Sequence, residues 1–147
     1  MIDELERKIV RALNQNARKS FREIAKEVGT SATAVINKVK AMEAAGGIKG
    51  YIPVVDPARF GIDLVAIVAL CFSKGKLLET QQKISSDRRV AAVYDITGEW
   101  DSLVIGYFRG RDDLNDFIKG VLALPHVDRT VTHLVLNIVK DDKRLPV

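Results

Sequence analysis

Apolar residues recur at helical spacing through the first fifty positions and then, after about residue 62, change to strand-like runs. Ile2, Leu5, Ile9 and Leu13 form one stripe, the pattern of a helix with one buried face. The segment "NQNARKS" breaks it. Ser20 opens a second helix, because "SFRE" places Glu23 three residues on, and each side chain can satisfy an orphan amide of the first turn. Ile24 and Val28 lie on its inner face, and Gly29 ends it, glycine entering the left-handed region without a side-chain clash. Thr30 or Ser31 caps a third helix with Val35, Val39 and Met42 on one face. Gly46 and Gly47 stop that helix. Three short helices, the last two joined by a tight glycine turn, make a helix-turn-helix unit.

Pro53 and Pro57 exclude a long helix from Ile48 to Gly61, which is expected as a strand followed by a hinge. Strands are then expected at Leu64–Ser73, Val90–Thr97, Ser102–Arg109 and Val127–Val139. Helices are expected at Lys76–Ser86 and Arg111–Leu124, the latter with Leu114, Phe117, Ile118, Val121 and Leu122 on one stripe. The order βαββαβ predicts a ferredoxin-like antiparallel sheet with both helices on one face. The expected class is α+β: a helix-turn-helix domain at 1–50, a linker strand and hinge at 51–61, and a ferredoxin-like domain at 62–147. In the first and last strands both alternating sets are apolar, so the face away from the helices is also apolar and needs a partner. A second copy is the expected partner, since a dimer presents two DNA-reading units to a two-fold site.

Charge sharpens this picture. Of 23 Lys/Arg and 19 Asp/Glu, residues 1–50 hold 10 and 6, so the whole net charge of +4 lies in the first third. That asymmetry points to a polyanion. Opposite the stripe of the third helix lie Thr33, Ala34, Asn37, Lys40 and Ala41, with Lys38 at the flank and no acid among them. Such a face suits a major groove of double-stranded DNA, where Asn pairs with adenine and Thr or Ala methyls touch thymine. Arg22, Lys26 and the helix amino termini near Thr30 and Ser31 suit phosphates. The longest apolar run, Leu64–Phe72, has 9 residues, too few to span a membrane, and no secretory signal is visible. A cytoplasmic location is expected. The lone Cys71 reads as a small core residue.

The stretch "ITGEWD" carries Glu99 and Asp101 around Trp100, the only tryptophan. Two acids and an aromatic suit a catalytic pair, a metal clamp, a ligand pocket or a plain turn. No histidine is placed to work with the acids, His126 and His133 being isolated. No Cys/His cluster, phosphate-cradling loop or nucleophile elbow accompanies them. No catalysis, metal or cofactor is therefore expected. A large aromatic at a hairpin tip favours an interface or pocket wall over a solvated turn.

Together "RKSFREIAKEVGTSATAV", "IKGYIPVVDPARFG", "TGEWD" and "TVTHLVLNIVK" resemble the Lrp/AsnC family, the leucine-responsive or feast/famine transcription regulators, from about Ile2 to Lys140. The resemblance implies an amino-terminal DNA-binding domain. It also implies a carboxy-terminal domain that dimerises, often builds octamers, and binds small effectors, commonly amino acids. The turn Gly98-Glu99-Trp100-Asp101 would then contribute to an effector pocket between dimers, with Thr130 and Thr132 nearby. Asp101 or Glu99 would hold the ligand's ammonium, and the Gly98 backbone with the two threonine hydroxyls its carboxylate. Gly47, Ala34 and His126 depart from the usual pattern, putting the junction after the third helix, one DNA contact and the entry to the last strand in question. The expected function is a sequence-specific transcription regulator responsive to a small effector. An effector-independent, chromosome-organising DNA-binding protein is the alternative.

Overall fold

The computed structural model of the chain describes residues 1–73, 75 and 77–147. Two compact units are present, one formed by Met1–Val54 with Asp141–Val147, the other by Val55–Lys140.

In the first unit α1 spans Glu4–Gln15, α2 Phe21–Val28 and α3 Ala32–Ala44. The expected capping box opens α2: the Glu23 amide donates to Ser20 Oγ at 3.2 Å, and the Ser20 amide to Glu23 Oε2 at 2.6 Å. A second box, Asp3 with Glu6, opens α1. Gly29 closes α2 at φ 75°, where a side chain would be strained, and the Thr30 amide returns to Ala25 O at 2.9 Å. Ser31, rather than Thr30, caps α3. The three helices enclose Ile9, Ala12, Ile24, Ala25, Val35, Val39 and Met42. Ile2 stays largely exposed. The amides of Gly47 and Ile48 both bond to Met42 O, so the junction after α3 is closed by backbone despite the glycine. Residues 141–147 lie against α1: Arg11 Nε donates to Val147 O at 2.6 Å, and Asn14 Nδ2 to Leu145 O at 3.4 Å.

The linker differs from expectation. No strand forms between Ile48 and Asp56, and Pro57–Phe60 is one 3₁₀ turn capped by Asp56. Extended backbone interrupted by Pro53 finds no ladder partner within its own chain. Tyr51 instead donates its phenol to Glu43 Oε1 at 2.9 Å, tying the chain after α3 back to that helix.

The second unit runs β1 Leu64–Phe72, α4 Leu77–Ser85, β2 Val90–Asp95, β3 Ser102–Phe108, α5 Arg111–Leu122 and β4 Val127–Leu134. The expected helix start at Lys76 lies outside the described residues. The sheet order β2-β3-β1-β4, antiparallel throughout, is the ferredoxin-like arrangement that the element order predicts. Ala66, Val68, Leu70 and Phe72 of β1, with Val104 and Phe108 of β3, pack on Ile84, Leu114, Phe117 and Val121 of the helices. The opposite face carries Val65, Ile67 and Ala69, paired with Tyr107, Ile105 and Leu103 on one side. On the other side, His133 and Val131 pair with Ile67 and Ala69. It is apolar across β1 and β3, as expected, whereas β4 adds Arg129 and His133 on either side of Val131. The last strand is shorter than expected, because β1 begins at Leu64 and the Val135 amide on Val65 O is the final rung. Leu136, beyond it, is exposed.

Two polar features were not legible in the chain. Ser102, fully buried, donates to Tyr94 O at 2.9 Å and accepts from Gln81 Nε2 at 3.3 Å. Arg89 lies over the Phe117 ring and bonds to Asp87, Asp113 and Asp116. Arg89 holds the Asp87 carboxyl below its usual range. The Arg109 amide, then Arg89, does the same for Asp113. Carboxyls depressed in the folded state stabilise it above their unfolded range and lose that contribution as pH falls through the folded value. Arg89→Met is therefore expected to flatten the loss of second-unit stability below about pH 4. Acid titrations followed by Trp100 emission would check it; unchanged acid sensitivity would assign the loss to other carboxyls.

Candidate DNA-binding face and effector-domain turn

Ser31 Oγ accepts the Ala34 amide at 3.1 Å, fixing the start of α3. Thr33, Asn37 and Lys40 are exposed along the helix, with Ala34 half-buried beside them. Arg22 is exposed on the first turn of α2, and Thr30 is half-buried in the turn between the helices. These residues form a small, polar, basic surface on the second helix of the motif, the element that enters a major groove.

Lys38 points elsewhere. Its ammonium pairs with Asp3 and lies 3.4 Å from Glu6 Oε1, both carboxylates belonging to the capping box of α1. Lys38 holds the Asp3 carboxyl below its ordinary range, and Asp3 raises the lysine in return. The side chain expected beside the DNA face thus fastens α3 to the start of α1, a contact between residues 35 apart. Lys38→Gln is expected to lower the thermal midpoint of the first unit while weakening DNA binding less than Asn37→Ala. The latter should lose about tenfold or more, the size of a bidentate base contact. Fluorescence anisotropy on labelled duplex, with melting curves, would check both. A larger DNA loss for Lys38→Gln than for Asn37→Ala would return the lysine to the DNA face.

In the second unit the turn after β2 closes with the Ile96 amide on Asp101 O at 3.1 Å, and Gly98 takes φ 109°, open to glycine but strained for other residues. Asp101 is held twice. Its amide donates to Leu70 O, and its Oδ2 accepts the Phe72 amide at 2.9 Å where the β1–β4 register shifts between Cys71 and Phe72. Its carboxylate therefore supports the end of β1. Glu99 is exposed and pairs with Arg129 Nη2 at 3.2 Å. The Arg129 guanidinium lies 4.5 Å over the Trp100 ring and reaches Cys71 Sγ at 3.7 Å. Cys71 is thus half-buried beside an arginine on the outer sheet face rather than in the core.

The threonines lie apart from this cluster. Thr130 pairs with Leu70 and Thr132 with Val68, on the side of the sheet that carries the helices, Thr130 half-buried and Thr132 exposed, whereas Arg129 pairs with Cys71 on the other side. Within one chain Gly98, Glu99, Trp100 and Asp101 come together with Arg129, not with Thr130 and Thr132. Arg129 was missed in the sequence; the cue available was its place next to Thr130, which fixes the opposite parity on β4. A separate groove, lined by Ile62, Arg88, Tyr107 and Arg109, also contains the Arg89 network, whose three aspartates are already matched. Among the described residues no His/Cys/Asp/Glu group suits a metal, and no helix is long and apolar enough to cross a membrane.

A helix-turn-helix unit with a small polar reading face, joined to a βαββαβ unit, defines a two-domain regulator that binds DNA. Residues 2–43 match the AsnC-type helix-turn-helix domain and residues 65–145 the Lrp/AsnC ligand binding domain. An uncharacterised HTH-type transcriptional regulator of Pyrococcus abyssi is 42% identical over 99% of both chains. AsnC of E. coli superposes with a TM-score of 0.87 at 28% identity, covering 99% of each chain. A transcriptional regulator of Neisseria meningitidis, solved as an L-Met complex, superposes at 0.89 with 23% identity, over 99% of this chain and 97% of that one. The chain belongs to the Lrp/AsnC family of transcriptional regulators. It is a regulator rather than an enzyme.

Proposed function

We propose that this regulator reads a specific DNA sequence through Thr33, Ala34 and Asn37, with Arg22, Lys40 and the amides near Thr30 and Ser31 on phosphates. Its assembly or DNA affinity responds to an amino acid bound at the Gly98–Asp101 turn. The apolar outer sheet face carries a homodimer, and dimers assemble further, to an octamer; the protein works in the cytoplasm. The observation that carries the effector reading is the indole of Trp100, an aromatic platform flanked by Glu99 and Arg129 in the domain that matches a ligand-binding family. The relative bound to L-Met supports a small amino acid as the class of ligand. An effector shifts an assembly only by binding one state better than another. The ligand is thus expected to alter the spacing of DNA-reading units, leaving α3 itself unchanged.

Trp100 is the only tryptophan, so its emission reports directly on the turn. The test is a titration of the purified protein with each of the twenty amino acids, with Trp100→Phe as the control for the signal's origin. A saturable change with one or two of them, accompanied by a shift in assembly or DNA affinity, is expected. Silence across all twenty would remove the amino-acid reading.

A further inference from the structure

We infer that Gln81 and Ser102 are positioning residues of the effector turn: a buried relay from α4 holds both stems of the hairpin that presents Trp100. This rests on the effector reading and adds the device that keeps the turn in place.

The inward set of β3 is Ser102, Val104, Gly106 and Phe108, all buried. A hydroxyl at the head of that set costs desolvation unless it is bonded. Ser102 Oγ donates to Tyr94 O at 2.9 Å and accepts from Gln81 Nε2 at 3.3 Å. These partners come from both stems of the turn and from a helix. β2 ends at Asp95, which faces Ser102 at the start of β3, and Ile96–Asp101 lies between them. One oxygen therefore ties the two stems together on the side of the sheet that carries the helices. Gln81, in the middle of α4 and only 9% exposed, fixes that oxygen to the helix. The tie matters because β2 is an edge strand, held in the sheet by β3 alone, and its ladder shifts register between Val90 and Ala92. Apolar packing resists separation but permits sliding; a hydroxyl held from two sides fixes the end of β2 next to the turn. Asp101, one residue earlier, is anchored to β1 through Leu70 O and the Phe72 amide. The second stem is thus fastened to β1, β2 and α4 within two residues. Trp100, half-buried at the tip, meets the Arg129 guanidinium at 4.5 Å, and the place of the stems sets that contact.

The test uses the full chain without ligand and reads Trp100 emission and its quenching by acrylamide. Gln81→Met and Ser102→Ala are each expected to move the emission to longer wavelength and to speed quenching, as the indole leaves Arg129. The double variant is expected to match either single one, since the two side chains act as one unit. Val121→Ala, a core substitution on α5 that lowers the melting midpoint without touching the relay, is expected to leave both readings at the wild-type value. Any amino acid that shifts wild-type emission is expected to bind Gln81→Met about fivefold more weakly, the worth of one hydrogen bond. If Ser102→Ala does not fold, Gln81→Met against Val121→Ala decides. Wild-type emission and quenching in Gln81→Met, undiminished amino-acid binding by it, or equal changes in Val121→Ala overturn the assignment and leave the effector reading standing. Faster quenching in Gln81→Met, with no amino acid bound by wild type, overturns the effector reading and leaves the two residues positioning the turn.

Discussion

Phe108→Ala is expected to cost the carboxy-terminal unit about 3–5 kcal/mol, the range for removing a buried aromatic. Phe108 is fully buried on β3, and its ring meets Phe117 of α5 at 5.3 Å between centroids, tilted by 45°. The ring also fills the space over Gly106, where an added Cβ would stand 2.6 Å from Cζ. Deleting it leaves a void bounded by strand backbone on one side and a helix on the other. The strand cannot move in without breaking ladder bonds, so the cavity closes only as far as the helix can shift. Single domains are stable by only about 5–15 kcal/mol, so the loss is a large share of the total. Urea unfolding followed by Trp100 emission reads this unit alone, because the tryptophan lies within it. The exposed Leu122 of α5 serves as the control, with Leu122→Ala expected within about 0.5 kcal/mol of wild type. A loss below about 1 kcal/mol for Phe108→Ala would mean that the core reseals.

Asp101→Ala carries the second largest expectation, because the structure gives this carboxylate a supporting bond that its place in the turn did not reveal. The Phe72 amide donates to it from a residue only 8% exposed, at the point where the β1–β4 register slips. Loss of a hydrogen bond to a charged acceptor, with the donor left in place, is expected to cost about 1.5–3 kcal/mol. The effector response should fall as the turn loosens, while DNA binding by the separate α3 face holds. Asp101→Asn separates the two roles. Its amide oxygen can still accept from Phe72, so stability should return, and an effector response that returns with it identifies a supporting role. If stability returns and the response does not, the negative charge itself meets the ligand. Asp101→Ala with unchanged stability would show that the Phe72 bond contributes nothing.

The helix-turn-helix was legible because its signals are short-range. The Ser20–Glu23 box, Gly29 and the Val35–Val39–Met42 stripe each lie within one or two helical turns, and each forms as the spacing predicts. Lys38 escaped the same reading because its partners Asp3 and Glu6 sit more than thirty residues earlier. The order of strands and helices in the second unit was equally plain, since alternation and helical stripes succeed one another cleanly. What failed there was parity. β4 mixes polar and apolar residues in both alternating sets, Val127, Arg129, Val131 and His133 in one and Asp128, Thr130, Thr132 and Leu134 in the other, so nothing in "VDRTVTHL" says which set faces the helices; only pairing with β1 puts Thr130 opposite Leu70 and Arg129 opposite Cys71. The strand's end was hidden for the same reason, being set by where β1 starts rather than by its own residues. Arg89 and Ser102 gather partners from several elements and carry no local pattern at all.

Residues 141–147, which lie along α1, bear on how the molecule can be taken apart. The amino-terminal unit is discontinuous, so no single cut of the chain releases it whole. A fragment ending at Val54 keeps all three helices but exposes Arg11 and Asn14 to water in place of the Val147 and Leu145 carbonyls. A fragment beginning at Val55 carries a terminal segment whose seat is missing. Comparisons of DNA binding between whole chain and isolated helices would therefore mix two changes, loss of the second unit and loss of this small piece of the first. Supplying 141–147 through a short flexible link after Val54 would restore the missing contacts and leave only the first change to be measured.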